Sequence, residues 1–415
     1  MAVSGDGSFG SPFKTIQEGL DALTPGWTVY IRGDGTGRYY YETLTFSTPG
    51  TSALPMTVRP YMDEKVIIAS SSTIFDLNQP YWKFVDLIFD HQNGSSDAIQ
   101  IHGGDYALFD NCEIRNGQKY AIEIFDGDSV TIQESLIHSF DSAAPGSDAH
   151  CIVTDPTLDS RDVTDLYILN NTIYDCSGDA IHLYAETTTD TVNFANNVMI
   201  SGNTIYKTGG FYGESGITVR GGLNVTIENN TLYGFDVEQA IDILMESSNV
   251  TIKDNTIRNS IGGINVSEEA GRQPQSITLL RNTIHDISGT FVISVNGLIG
   301  GTFHNNTLSS NAGSSFEIVG NGLTLGDIQN NLIHDSGIPV ITGPFTGTGD
   351  YNGWFNTLPG GLTSANDTIG VDPLFVNPGA GDFCLQIGSD AIDAGTFLGY
   401  PFLGLAPDLG ACESY

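Results

Sequence analysis

Apolar and polar residues alternate in short runs along the whole chain, as in Val225-Thr226-Ile227 and Ala240-Ile241-Asp242-Ile243-Leu244-Met245. Period-two alternation of β-branched residues predicts strands rather than helices, because successive side chains of a strand point to opposite faces. The runs recur. Asn170-Asn171-Thr172-Ile173, Gly202-Asn203-Thr204-Ile205, Asn229-Asn230-Thr231-Leu232 and Asp254-Asn255-Thr256-Ile257 are followed by three more. These are Arg281-Asn282-Thr283-Ile284, Asn305-Asn306-Thr307-Leu308 and Asn330-Asn331-Leu332-Ile333, and weaker copies end at Ile88, Ile114 and Ile137. The apolar ends are spaced by 26, 23, 36, 32, 27, 25, 27, 24 and 25 residues. A period of about 25 residues holds three short strands and three turns, which predicts an all-β right-handed parallel β-helix of about ten to twelve coils. The two long intervals carry inserted loops.

The recurrent Asn belongs at a turn. Asn tolerates left-handed backbone geometry, and stacked coils let one amide bond the next, which predicts an asparagine ladder. Asn93, Asn170, Asn224, Asn229, Asn249, Asn265, Asn305 and Asn366 also begin glycosylation sequons, but glycosylation does not account for the recurrence. Phe13, Ile16, Leu20 and Leu23 share one helical face between Pro12 and Pro25-Gly26, which predicts a short cap helix around residues 12–23. Trp27 to Ile31, Leu44 to Phe46 and Met56 to Arg59 read as the first strands. The expected organisation is a single domain with an N-terminal cap over 1–30, coils over 31–345 and a C-terminal wrap over 346–415.

Charge narrows the function. The chain has 415 residues, with 49 Asp+Glu against 15 Lys+Arg and a formal net charge of −34. A nucleic-acid groove needs clustered Lys and Arg, so that class is excluded. No apolar run is long enough to predict a membrane helix. Such acidity suits a secreted or cell-surface protein, expected to be a monomer. Met1-Ala2 leads directly into Ser4-Gly5-Asp6-Gly7, so any signal segment is expected to be cut away or never present. The five cysteines are too scattered for a disulfide framework; Cys384 and Cys412 can pair, and the odd count leaves at least one thiol free.

Ser8-Phe9-Gly10-Ser11-Pro12-Phe13-Lys14-Thr15-Ile16-Gln17 and Thr28-Val29-Tyr30-Ile31-Arg32 resemble the opening of secreted bacterial β-helix proteins. Asp372-Pro373-Leu374-Phe375, Gly381-Asp382-Phe383, Ala391-Ile392-Asp393-Ala394-Gly395 and Asp408-Leu409-Gly410-Ala411 resemble their ending. With the repeats, the chain resembles the superfamily of pectate lyases, alginate lyases, chondroitinase B and mannuronan C5-epimerases. Ser215-Gly216-Ile217-Thr218-Val219-Arg220 is similar to the Asp-Gly-Phe-Ala-x-Lys pattern of family-9 pectate lyases, with Arg220 in the lysine's place. The Arg-His-Gly motif of family-6 lyases, the epimerase Asp-Pro-His and the polygalacturonase Asn-Thr-Asp are missing.

In such a solenoid one strand of each coil lines an outer groove. Its outward residues fall into two columns. One is Gln100, Glu123, His182, Thr218, Asp242 and Asn265; the other is His102, Phe125, Tyr184, Arg220, Leu244 and Ser267. Cys151 to Thr154 belongs between Glu123 and His182 in an ambiguous register. This reading gathers His182, Tyr184, Arg220 and Asp242 as catalytic candidates beside the two insertions, with Glu123, Thr218, His102 and Phe125 as substrate contacts. The chemistry they suit is β-elimination on an acidic, uronate-containing polysaccharide: a cation neutralises the carboxylate, a base removes the C5 proton, and an acid assists departure of the glycosidic oxygen. Arg220 offers a carboxylate fork, and His182 or Tyr184 offers proton transfer. Asp179, Glu186 and Glu246, with Asp242, offer oxygen ligands for Ca²⁺. The alternatives are a glycoside hydrolase using Asp242 with Glu246, or Glu123 with a neighbour; a C5-epimerase; and a non-catalytic glycan-binding surface protein.

Overall fold

The computed structural model describes residues 5–142, 148–155, 162–184, 195–208 and 213–414. The chain divides into two compact units, Met1–Met199 and Ile200–Tyr415. Each is an all-β parallel solenoid, built because every coil repeats the same strand–turn pattern and pairs with the coil that follows it.

In the first unit the cap is the helix Ile16–Asp21, shorter than residues 12–23. Thr15 sets its start: the hydroxyl accepts from the Glu18 N–H while the Glu18 carboxylate reaches back to the Thr15 N–H, a capping box. Thr28–Ile31 pairs parallel with Met56–Pro60, as the alternation predicts. Leu44 makes only an isolated bridge to Phe75, so Leu44–Phe46 is not a strand. A second sheet runs from Arg38–Tyr41 through Thr172–Cys176, with Ile114, Ile137 and Ile173 in one register column. Phe89 takes the position before Ile114 rather than Ile88. Phe75, Phe84 and Phe109 stack inside, with centroids 4.9 and 5.0 Å apart along the series.

In the second unit the repeat is more regular. Ile205, Leu232, Ile257, Ile284, Leu308, Ile333, Trp354 and Ile369 align from strand to strand. The ladder runs beside them. Asn203, Asn230, Asn255, Asn282, Asn306 and Asn331 each donate a side-chain amide to the Oδ1 of the next, at 2.9–3.0 Å, ending on Asn352. These amides are buried and also reach backbone carbonyls such as Ile200 O and Ile227 O. The coil strands continue past 345 to Thr368–Gly370, because Asp367 takes the ladder position and accepts the Asn352 N–H. Beyond them, Phe375–Asn377 and Asp382–Leu385 form an antiparallel pair.

Cys384 and Cys412 are bonded, and Cys151 is bonded to Cys176, a pairing the sequence reading lacked. Cys112 is free and fully buried, and burial pushes its thiol up to about 12. The thiolate is the reactive form. A thiol-titrating reagent should therefore find no reactive sulfhydryl in the native protein and one per chain in denaturant. A native thiol that reacts at the rate of free cysteine would contradict the burial.

Candidate functional site

The first groove column keeps its expected order within each unit, whereas in the second a bulge sets Asp126 rather than Phe125 opposite His102. In the first unit, Gln100 lies beside Glu123, Glu123 beside Val153, and Val153 beside His182. Val153 thus fills the place left open by the Cys151–Thr154 segment. In the second column, His102 stacks on Phe125 with centroids 4.1 Å apart, and its Nδ1 lies 2.8 Å from Asp76 Oδ1. The Tyr184 N–H donates to the buried hydroxyl of Thr154 at 3.0 Å.

Around His182 the coils assemble a group that the column reading only partly contained. His182 Nδ1 lies 2.7 Å from Asp179 Oδ2. The Asp179 N–H donates to His150 Nδ1 at 2.8 Å. The rings of His150 and His182 meet edge to face at 4.8 Å and those of His182 and Tyr184 at 5.7 Å, while Tyr120 and His150 lie tilted at 5.2 Å. The Lys119 ammonium lies 4.8 Å from the Tyr120 ring centre and donates to Asp97 Oδ2 at 3.0 Å. The result is a continuous row, Lys119–Tyr120–His150–His182–Tyr184, backed by Asp97, Glu123 and Asp179.

Local chemistry holds this row in place. The Cys151–Cys176 disulfide joins the segment carrying His150 to the turn carrying Asp179. The Cys151 N–H donates to Asp179 O and the Gly178 N–H to Ala149 O. Residue 178 must be small, since a Cβ there would lie 2.6 Å from His150 Nδ1. Burial, followed by the nearby Glu123 and Asp97, pushes the Tyr120 phenol up to about 12. Burial, followed by Asp97, pushes the Glu123 carboxyl up to about 8. At neutral pH both groups hold their protons.

In the second unit, Thr218, Asp242, Asn265 and Ser294 form one column and Arg220, Leu244, Ser267 and Asn296 the other. Arg220 is engaged: its Nε and Nη2 donate to the Glu269 carboxylate at 2.8 and 2.5 Å. Asp242 accepts from Asn265 at 2.8 Å and from Gln239. Glu246 accepts from Arg272 at 3.0 Å. Arg258 is on the strand Thr256–Arg258 of the other sheet, its guanidinium 4.2 Å from the Tyr233 ring centre.

Glu186 and much of the two insertions lie outside the described residues. The donors next to Asp179 are imidazoles: one ligand atom each from His150, Asp179 and His182 fall within 4.8 Å of one another. Calcium takes six to eight oxygens, so this cluster does not fit it. His2Asp is instead a donor set for a transition metal.

Lys119, Tyr120 and His150 were missed because they sit in turns, where period-two alternation says nothing about direction. A weak signal existed for His150, since Cys151 and Cys176 are 25 residues apart, one repeat period.

The model of the right-handed β-helix region family matches residues 67–200 and 191–352. YwoF of Bacillus subtilis strain 168, described as uncharacterized, is 24% identical over 451 residues, covering 93% of this chain and 89% of that protein. The A-module of the Azotobacter vinelandii mannuronan C-5 epimerase AlgE6 is similar in structure at 15% identity and a TM-score of 0.55, over 80% of this chain and 95% of that one. A rhamnogalacturonan lyase is similar at 13% identity and a TM-score of 0.51, over 90% and 88%. At such identities the likeness is one of fold, and one fold hosts many chemistries.

Proposed function

We propose that the chain, which belongs to the family of right-handed β-helix regions, is a polysaccharide lyase that cleaves a uronate-containing polymer by β-elimination. The observation that carries this reading is the Asp179-supported His182 with the Tyr184 ring beside it. A base oriented by a carboxylate, next to a second proton-transfer group, is the constellation such an elimination needs.

The roles follow from position. Both ring nitrogens of His182 are buried, with Nδ1 2.7 Å from Asp179 Oδ2, so the step requires the ring to turn Nε2 toward the groove, where it takes the C5 proton while Asp179 favours a proton on Nδ1. The electron pair released forms the C4–C5 double bond as the C4–O bond breaks, and Tyr184 gives its proton to the departing oxygen. Lys119, with its side chain 42% exposed, holds the uronate carboxylate and stabilises the negative charge that develops there. No step is assigned to Arg220, tied to Glu269, or to Asp242, held by Gln239 and Asn265.

A hydrolase is less well supported. Its two carboxyls must stand ~5–9.5 Å apart on either side of the bond, whereas Glu123 and its neighbour Asp97 are buried and bridged by the one Gln100 amide. Incubation with pectate, alginate and chondroitin sulfate tests the reading. A lyase produces unsaturated uronide, seen by its ultraviolet absorbance. New reducing ends without that absorbance would overturn it in favour of hydrolysis, and changed uronate composition without chain cleavage in favour of epimerisation.

A further inference from the structure

We propose that Asp97 and Glu123 hold one proton between them, and that this singly charged pair sets how firmly Lys119 binds a uronate carboxylate. The inference rests on the lyase reading for Lys119's ligand, but not for the proton itself. Both carboxyls are buried. The side-chain amide of Gln100 bridges them, donating to Asp97 Oδ2 at 2.9 Å and to Glu123 Oε2 at 3.3 Å. Lys119 donates to the same Asp97 Oδ2 at 3.0 Å. One ammonium thus faces two carboxyls bridged by a single amide, and it balances the charge of one. Asp97 Oδ1 is buried and has no donor among the described residues, so a proton held on the pair would answer an otherwise unmet acceptor.

The other groups around the pair act in the same direction. Tyr120, between Lys119 and the row of histidines, is held neutral by burial and by Glu123, Asp97, Asp155 and Asp148. Val153, next to Glu123 in the column, is apolar. Nothing beyond Lys119 in this set offers a compensating positive charge. Burial and the Asp97 charge accordingly keep Glu123 protonated up to about pH 8.

Loss of that proton changes what Lys119 can do. The pair then carries two negative charges, draws the ammonium inward and repels an incoming carboxylate. A single added charge at this range is worth ~10-fold in affinity. Glycan binding should therefore weaken as pH rises through about 8. Stability responds with the same sign. A carboxyl whose folded value is raised binds more protons folded than unfolded, so it costs stability as pH rises from the ordinary carboxylate range toward that value. Glu123→Gln keeps the hydrogen bonds and removes the titration.

The test has two readouts. Carbon-13 NMR of glutamate-labelled protein follows the Glu123 carboxyl, identified by its absence in Glu123→Gln. Calorimetry measures binding of pectate, alginate and chondroitin oligosaccharides in a His182→Ala background, so that the glycan is not consumed. The expected result is a carboxyl titrating near 8, with affinity falling ~10-fold across that midpoint. Affinity should stay flat in Glu123→Gln and low at every pH in Lys119→Met. An ordinary carboxylate midpoint, or pH-independent affinity in the parent protein, would overturn the proposal. Failure to form unsaturated product from any glycan counts against the lyase reading alone, and the NMR midpoint still decides the shared proton.

Discussion

Replacing His182 with alanine is expected to lower turnover of the uronate polymer by ~10²–10⁴-fold, the usual worth of a positioned general base. Melting should stay close to wild type. His182 is a partly exposed groove residue, so its loss opens no large cavity in the solenoid interior. Asp179→Asn should lose activity as well, because an amide no longer favours the proton on Nδ1, and its loss should be mainly in kcat. Tyr184→Phe keeps the ring contact with His182 and removes the hydroxyl, so it separates proton transfer from packing. Arg258→Ala is the control: its guanidinium rests on Tyr233, away from the groove strands. Steady-state kinetics on the four variants, beside thermal melts, check this. Full activity in a folded His182→Ala protein would remove the base from the account.

The largest effect on stability is expected from the asparagine ladder. Asn255 Oδ1 accepts the Asn230 N–H at 2.9 Å and its side-chain amide at 3.0 Å. The Asn255 side-chain amide in turn reaches Ile227 O at 2.9 Å and Asn282 Oδ1 at 3.0 Å. Alanine leaves the Asn230 N–H and the Ile227 carbonyl buried without these partners. An orphaned buried polar group costs ~1–3 kcal/mol, so Asn255→Ala should cost about 3 kcal/mol. Asn249 is the comparison, since it is exposed and bonds only Asn224 through its side chain among the described contacts. Its replacement by alanine orphans no buried group and should cost less, about 1 kcal/mol, set by alanine's poorer tolerance of the left-handed backbone at φ 57°. Denaturant unfolding of both variants measures the difference, and equal midpoints would mean that the ladder is not what holds the coils together.

The two outcomes differ in how readable they were. The ladder was legible because each Asn recurs beside an apolar end at one repeat period, and stacking turns recurrence into contact. The Gln100–Glu123–His182 column was legible for the same reason, through strict alternation on each strand. Val153 was not, because Cys151, Ile152, Val153 and Thr154 are all buried, and a segment buried on both faces shows no alternation. Lys119, Tyr120 and His150 stand outside the regular alternation of the groove strands, and only the disulfide and the stacking of coils bring them to Asp179. Arg220 shows the opposite limit. The sequence placed it on the groove face, but its partner Glu269 lies 49 residues away, on a turn whose path over that face follows from no periodicity.

The proposed β-elimination turns on the Asp179–His182 pair. The most direct measurement is the time course of unsaturated uronide absorbance on the responsive polymer, recorded in parallel for wild type, His182→Ala and Arg258→Ala at equal concentration. Wild type and Arg258→Ala should give a steady rise, and folded His182→Ala a nearly flat trace. The same rise in all three, or reducing ends from wild type without absorbance, would contradict this mechanism.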